Sequence, residues 1–240
     1  MPGMPPIKPL TIVTGHYGCG KTNLSLNLAV DVAATGTQVT LVDLDIVNPY
    51  FRSSDHTAML EGRGVSVIAP TFAGTTLDVP SLPAAIGSVF DSGGVVIFDV
   101  GGDDAGATAL GRFARDIEAI DHDLLYVVNR YRGLTSTPEE AAALLAEIEH
   151  ASHLKATAVV NNSHLKDETT LDTVLGSVPY ARATAEALGL PLLCTTVPRA
   201  LAAGLWDAPG ATAHLEGAYP IDVYVRTPWE DGPGADEEVF

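Results

Sequence analysis

The residues Gly15-His16-Tyr17-Gly18-Cys19-Gly20-Lys21-Thr22 gather three glycines, an ammonium and a hydroxyl within one short run. The spacing is G-x-x-x-x-G-K-[ST], and its chemistry is the capture of a polyphosphate. Glycines let the backbone curl so that successive N–H groups point inward, and a helix N-terminus behind them adds its own donors. On this reading Gly15, Gly18, Cys19, Gly20, Lys21, Thr22 and Asn23 contact phosphate. Lys21 reaches the β- and γ-phosphates of a nucleoside triphosphate, and the Thr22 hydroxyl ligates Mg²⁺.

Two further clusters supply carboxylates. Val42-Asp43-Leu44-Asp45 places two aspartates two residues apart at the end of an apolar run. Carboxylates at the C-terminal edge of a strand stand beside the ligand crevice of an α/β sheet. Asp43 is assigned to the Mg²⁺ water shell and Asp45 to orienting an attacking water. The third cluster is Val95-Val96-Ile97-Phe98-Asp99 followed by Val100-Gly101-Gly102. Here a hydrophobic strand presents Asp99 to the metal, and Gly102 lets a backbone N–H approach the terminal phosphate. Phosphoryl transfer at such a site is positioning plus charge stabilisation.

These residues need a scaffold that brings strand ends together. Eight short apolar runs are strand candidates: 11–14, 39–43, 65–69, 95–99, 124–129, 157–161, 192–197 and 222–226. Most are continuous rather than alternating, the pattern of a sheet covered on both faces. Helices are expected between them. Lys21–Thr35 carries Leu24, Leu28 and Val32 on one side and stops at Gly36. Thr137-Pro138-Glu139-Glu140 forms a capping box that opens a helix to about residue 150. The stretch from Thr169 to Leu188 is helical in pattern, with Pro179 expected to kink or split it. The fold class is therefore α/β, a doubly wound, mostly parallel sheet flanked by helices on both faces. Residues 1–9 are expected to be a loose segment, 10–227 the nucleotide-binding domain and 228–240 an acidic tail.

Bulk composition narrows the function. The 240-residue chain carries 30 acidic against 13 basic residues, a net charge of −17, which repels nucleic acid and anionic lipid. No apolar run approaches the ~20 residues of a membrane span. Cys19 and Cys194 form no C-x-x-C pair, so the expectation is a cytoplasmic protein without an encoded zinc or iron–sulfur site.

Taken together, residues 15–22, 43–45 and 99–102 resemble the MinD/ParA group of P-loop ATPases. This group belongs to the SIMIBI class and is related to nitrogenase iron protein, the arsenite-pump ATPase and the metal-cluster scaffold ATPases. The resemblance runs from about residue 8 to about residue 200. It implies ATP with Mg²⁺ as ligands, and dimers that hold two ATP molecules at their interface. It also assigns adenine reading to an asparagine after a late strand: Asn162 in Val159-Val160-Asn161-Asn162-Ser163, with Asn161 as second choice.

One departure stands out. The group's loop, G-K-G-G-x-G-K-T, has a lysine after its first glycine that crosses to the partner's phosphates. This chain has His16 there and Tyr17 in place of the next glycine, so His16, a pH-dependent donor, is the candidate for that task. The loop together with Asp43-Leu44-Asp45-Ile46-Val47-Asn48-Pro49-Tyr50-Phe51-Arg52 is similar to a separate branch of these ATPases with histidine at this place. Without C-x-x-C the iron–sulfur scaffold branch lacks its ligands. The C-terminus has no basic amphipathic helix of the kind that gives MinD-like membrane binding.

Other residues carry weaker signals. Asn48–Arg52 could meet a partner or pack locally, and Asn129-Arg130-Tyr131-Arg132 could meet an anionic ligand or solvent. His150 and His153 suit a helix C-terminus better than a metal. Cys19 sits at a helix N-terminus, where a thiol pKa is lowered and redox gating becomes conceivable. The leading reading is a Mg²⁺-dependent ATPase acting as a switch for a protein partner, with a homodimer as one assembly. The alternatives are a small-molecule kinase or ligase of the dethiobiotin or cobyrinate synthetase type, and a non-catalytic nucleotide sensor or scaffold.

Overall fold

The computed structural model describes residues 3–45, 52–70, 85–207, 215 and 217–225. Asn48–Phe51, Arg226 and the acidic stretch 228–240 lie outside the described residues. Eight strands form one sheet: β1 (Leu10–Gly15), β2 (Val39–Leu44), β3 (Val65–Ile68), β4 (Val95–Val100), β5 (His122–Val128), β6 (Ala158–Asn161), β7 (Leu192–Pro198) and β8 (Ala218–Ile221). Their order is β3-β2-β4-β1-β5-β6-β7-β8, and every described pairing is parallel. The chain winds outward from β1 to β3, returns to β4, then continues through β5 to β8 on the other side. β1 therefore lies at the point where the winding reverses, and a crevice opens above the C-terminal ends of the strands there.

Alternation along each central strand feeds two separate cores. Leu10, Ile12, Phe98, Leu124 and Tyr126 pack in one layer. In that layer they meet α3 (Ala85–Val89), α4 (Asp104–Gly111), α5 (Ala114–Glu118), α6 (Pro138–Ser152) and α7 (Leu171–Leu188). Val13, Ile97, Leu125 and Val127 pack in the other layer, against α1 (Lys21–Ala34) and α2 (Thr57–Glu61). A side chain such as Phe98 or Leu28, fully removed from water, contributes ~1.5–3 kcal/mol. Both faces are covered, which is why the strands read as unbroken apolar runs. None of the described helices is long and apolar enough to cross a membrane.

Local signals explain the helix ends. The Thr137 hydroxyl accepts from the Glu140 N–H while Glu140 reaches back to the Thr137 N–H, opening α6 as expected. α6 closes at His153, which adopts a left-handed φ of 58°.

Two expectations are corrected. α7 runs unbroken through Pro179 and is not split. Buried Val174, Val178, Tyr180, Ala181 and Ala185 anchor it on both sides of the proline, and that packing outweighs a cost of about 3 kcal/mol. The last strand is Ala218–Ile221, ahead of the expected 222–226. Pro220 disguises it, although a sheet's outermost strand tolerates a residue without an N–H. Residues 222–225 serve a different purpose, described below. Of the first stretch, Met4 and Ile7 pack on the α1-side core, and Lys8 donates to the His122 carbonyl.

Candidate functional site

β1 ends at Gly15 and α1 begins at Lys21, so the five-residue turn between them sits at the mouth of the crevice. Gly20 has φ +87°, and a Cβ there would fall 2.3 Å from Asn162 Nδ2, so no other residue fits without displacing that amide. Lys21 is buried, and its ammonium donates to the His16 carbonyl at 3.1 Å. Gly102, after β4, lies flat on the turn: a Cβ on it would stand 2.6 Å from Tyr17 N and 2.7 Å from Lys21 Nζ. The loop after β4 therefore touches the phosphate turn directly.

β2 and β4 are hydrogen-bonded neighbours, and Asp43 pairs in register with Asp99. Both are buried, but their surroundings differ. Asp43 accepts from Asp45 N at 2.9 Å through Oδ1 and from Ser54 N at 3.1 Å through Oδ2. Asp99 accepts from the Ser25 hydroxyl at 3.2 Å through Oδ1, while its buried Oδ2 has no partner. Burial pushes the Asp99 carboxyl up to about 7, and the Asp43 charge adds to this against the pull of Lys21 and the Thr22 hydroxyl. Asp43 is also raised by burial, with the Ser54 side chain and the Asp45 and Ser54 N–H groups opposing. Asp45 lies at the cleft edge, its Oδ1 3.2 Å from where a Cβ on Gly101 would be.

A buried, unpartnered carboxylate oxygen beside a threonine hydroxyl and an ammonium suits a divalent cation. Among the described residues no three His, Cys, Asp or Glu side chains could enclose an ion. An ion here would lean on phosphate oxygens and water, which is the habit of Mg²⁺. Thr22 and Asp99 are residues that could hold it.

The cleft has a volume of about 460 Å³ and is lined by Tyr17, Lys21, Thr22, Asp45, Arg132 and His164, among others. Its remaining wall includes Asn23, Asn129, Lys166, Val223 and Val225. Asn23 and Asn27, one turn apart on α1, hold the segment 222–225. Both donate to the Asp222 carbonyl, and their amide oxygens accept from the N–H groups of Asp222, Tyr224 and Val225. A helix side chain thus replaces a ladder partner and turns two valines into cleft wall. Sequence reasoning missed this because the asparagines and their targets are some two hundred residues apart.

Asn162 is fully buried and does not line the cleft. Its Nδ2 donates to the Cys19 carbonyl at 2.7 Å, and its Oδ1 accepts from Thr196 Oγ1 at 2.6 Å. Asn161 is engaged with Ser177, Thr195 and the Ser163 N–H. Both asparagines brace the strand ends, and Asn162 holds the phosphate turn from below. His16 is half-buried, with Nδ1 unpartnered.

His164 was not anticipated. Its Nδ1 accepts from Lys166 N at 3.2 Å, which leaves the proton on Nε2, a buried donor without an acceptor. Burial lowers its pKa to about 4, reinforced by Arg132 and Lys166, so it stays neutral. The signal expected of Cys19 is reversed. Its side chain belongs to the α1-side core, and burial raises the thiol pKa despite Lys21, which removes the basis for redox gating. His150 and His153 join no metal-binding group among the described residues.

Comparison with known proteins agrees with this geometry. No curated protein matches the chain. Among solved structures, signal recognition particle 54 kDa protein from Aeropyrum pernix K1 in complex with GDP superposes with a TM-score of 0.53 at 16% identity, covering 81% of this chain and 43% of that one. FtsY from Thermotoga maritima gives 0.53 at 20% identity, with 82% and 63% covered. FtsY from Elizabethkingia anophelis in complex with GDP gives 0.51 at 20% identity, with 78% and 57% covered. The likeness is one of fold, and this chain spans less than two thirds of each. The model of the CobQ/CobB/MinD/ParA nucleotide binding domain matches residues 10–189, three quarters of the sequence, and the chain belongs to that family.

Proposed function

We propose that this chain is a Mg²⁺-dependent ATP-binding protein, an ATP hydrolase that acts as a nucleotide-controlled switch for a protein partner. The observation that carries the reading is the contact of Gly102 with Tyr17 and Lys21, beside the unpartnered Asp99 oxygen. A terminal phosphate needs the space that Gly102 fills. Its arrival would push the loop after β4 outward, and Asp45, against Gly101, would couple that motion to the segment after β2. A partner would read the two loops together.

Within the site, Lys21 and the loop amides from Gly18 to Asn23 would hold the phosphates. Thr22 and Asp99 would hold Mg²⁺, with Asp43 acting through its water shell. When bound, the ion offsets phosphate charge and fixes the reacting group in line. Asp45 would orient the attacking water. His16 would donate toward a partner's phosphates in a homodimer, in the place where the MinD/ParA group has lysine. The preference for adenine rests on resemblance to that group, and a cytoplasmic location on two buried cysteines that form no disulfide. Nucleic acid and membrane partners are disfavoured by the net charge of −17.

Calorimetry with Mg²⁺ and ATP or GTP, followed by multiple-turnover phosphate release, tests the proposal. Asp45→Ala is expected to bind ATP as the wild type does and to lose turnover. Turnover at the wild-type rate removes Asp45 from its role, and absence of heat with every purine triphosphate removes the reading itself.

A further inference from the structure

The loop from Asn129 to Thr137 carries two arginines, and the structure treats them differently. Arg130 donates to the Gly176 carbonyl on α7. Arg132 instead lies against the phosphate turn: a Cβ on Gly18 would be 3.5 Å from its Nε and 3.6 Å from its Cζ. It is exposed and lines the cleft with Lys21 and Asp45. Its charge reaches the interior, opposing the rise of the Cys19 thiol and helping to keep His164 neutral.

The loop that presents Arg132 is fixed. Arg132 N donates to Asn129 O, Thr135 N donates to Arg132 O, and Tyr131 N donates to Asn129 Oδ1. Arg130 N donates to Ser163 Oγ at 2.9 Å, and Tyr131 Oη to Thr173 O at 2.7 Å. Tyr180 Oη donates to the Thr135 carbonyl. Meanwhile Lys8, Lys155 and Arg199 are paired with carboxylates. Among the described residues the guanidinium of Arg132 has no acidic partner within ion-pair distance.

We propose that Arg132 is an arginine acting in cis on the terminal phosphates of the bound nucleoside triphosphate, so that one chain supplies both phosphate-directed cations. The inference deepens the reading above and rests on it. As water attacks the γ-phosphorus, the bond to the β–γ bridging oxygen breaks and its electron pair stays on that oxygen. The water proton leaves with the phosphate product and the solvent. Negative charge grows on the bridging and γ-oxygens, and a guanidinium meets them with several N–H groups without giving up a proton. Placed on a pinned loop, it is oriented before the reaction begins.

The test compares Arg132→Ala, Arg132→Lys and the remote control Lys155→Ala, by calorimetry with Mg²⁺ and ATP or ADP and by single-turnover hydrolysis over a range of protein concentrations. Arg132→Ala is expected to leave ADP affinity within a few-fold and to slow hydrolysis about 10³-fold. Arg132→Lys should recover only part of the loss, Lys155→Ala should show none, and the loss in Arg132→Ala should persist down to the lowest concentration, where an arginine given in trans would no longer act. If the wild type binds but does not hydrolyse, Arg132→Ala should weaken ATP selectively over ADP. Wild-type hydrolysis by Arg132→Ala, or equal ATP and ADP affinities relative to wild type in a non-hydrolysing protein, overturns the proposal. Absence of nucleotide binding by the wild type overturns the underlying reading with it.

Discussion

The two ends of the cleft are built in opposite ways. At the phosphate end, residues 15–22 form one continuous turn, and the carboxylates come from the tips of β2 and β4, which flank β1 on one side. At the far end, the wall is assembled from residues 129–132, 164–166 and 223–225, joined through asparagine side chains on α1 and backbone carbonyls of α7. The first end is a local motif, whose function is set by backbone N–H groups that any sequence with the right glycines can aim. The second is a tertiary construction, which depends on where distant segments land. Asn162, just past the end of β6, ties the phosphate turn to the far strands, since its amide bonds both Cys19 and Thr196 on β7.

The largest expected effect is at the phosphate end. Lys21→Ala should weaken Mg²⁺-nucleotide binding by about 3–5 kcal/mol, or ~10²–10⁴-fold, measured by calorimetry. A smaller loss would mean that the far wall contributes more of the affinity than the contrast implies.

Asn162→Ala tests the join. It leaves the Cys19 carbonyl without its side-chain donor and Thr196 without its acceptor, both in the interior, and should cost about 2–3 kcal/mol in denaturant unfolding. Because the amide braces the turn, ATP and GTP affinities should fall together. A change in their ratio would restore Asn162 to base reading and move it to the far end.

Asp99→Asn sharpens the phosphate end by pH. A buried carboxyl raised to about 7 binds its proton more tightly folded than unfolded. Between the unfolded value near 4 and the folded value, the native state holds the extra proton, so stability falls as pH rises through that window. Asp99→Asn should therefore raise the stability of the nucleotide-free protein at pH 8 by roughly 1–2 kcal/mol, with the difference shrinking towards pH 5. It should also blunt the response to Mg²⁺. An unchanged pH profile would show that Asp99 is charged and already paired.

The order of strands and helices was legible because parallel strands covered on both faces are continuous apolar runs, and Thr137 with Glu140 marks a helix start chemically. The shift of the last strand was not legible, since Pro220 breaks its pattern while 222–225 imitates a strand that α1 asparagines in fact hold. Pro179 reads locally as a breaker, yet packing on both sides keeps α7 whole.

The sequence by itself determined the phosphate turn, because eight adjacent residues carry both the conformational freedom and the charge that the turn requires. It also placed Asp43, Asp45 and Asp99 at strand ends. Only the tertiary structure decided that Asp43 is saturated by backbone donors while Asp99 keeps an open oxygen, that Cys19 faces the core, and that Arg132 rests on the turn from more than a hundred residues away. Those outcomes depend on which neighbours remove water from a group and which offer it a hydrogen bond, and neighbours are fixed by the packing of the sheet.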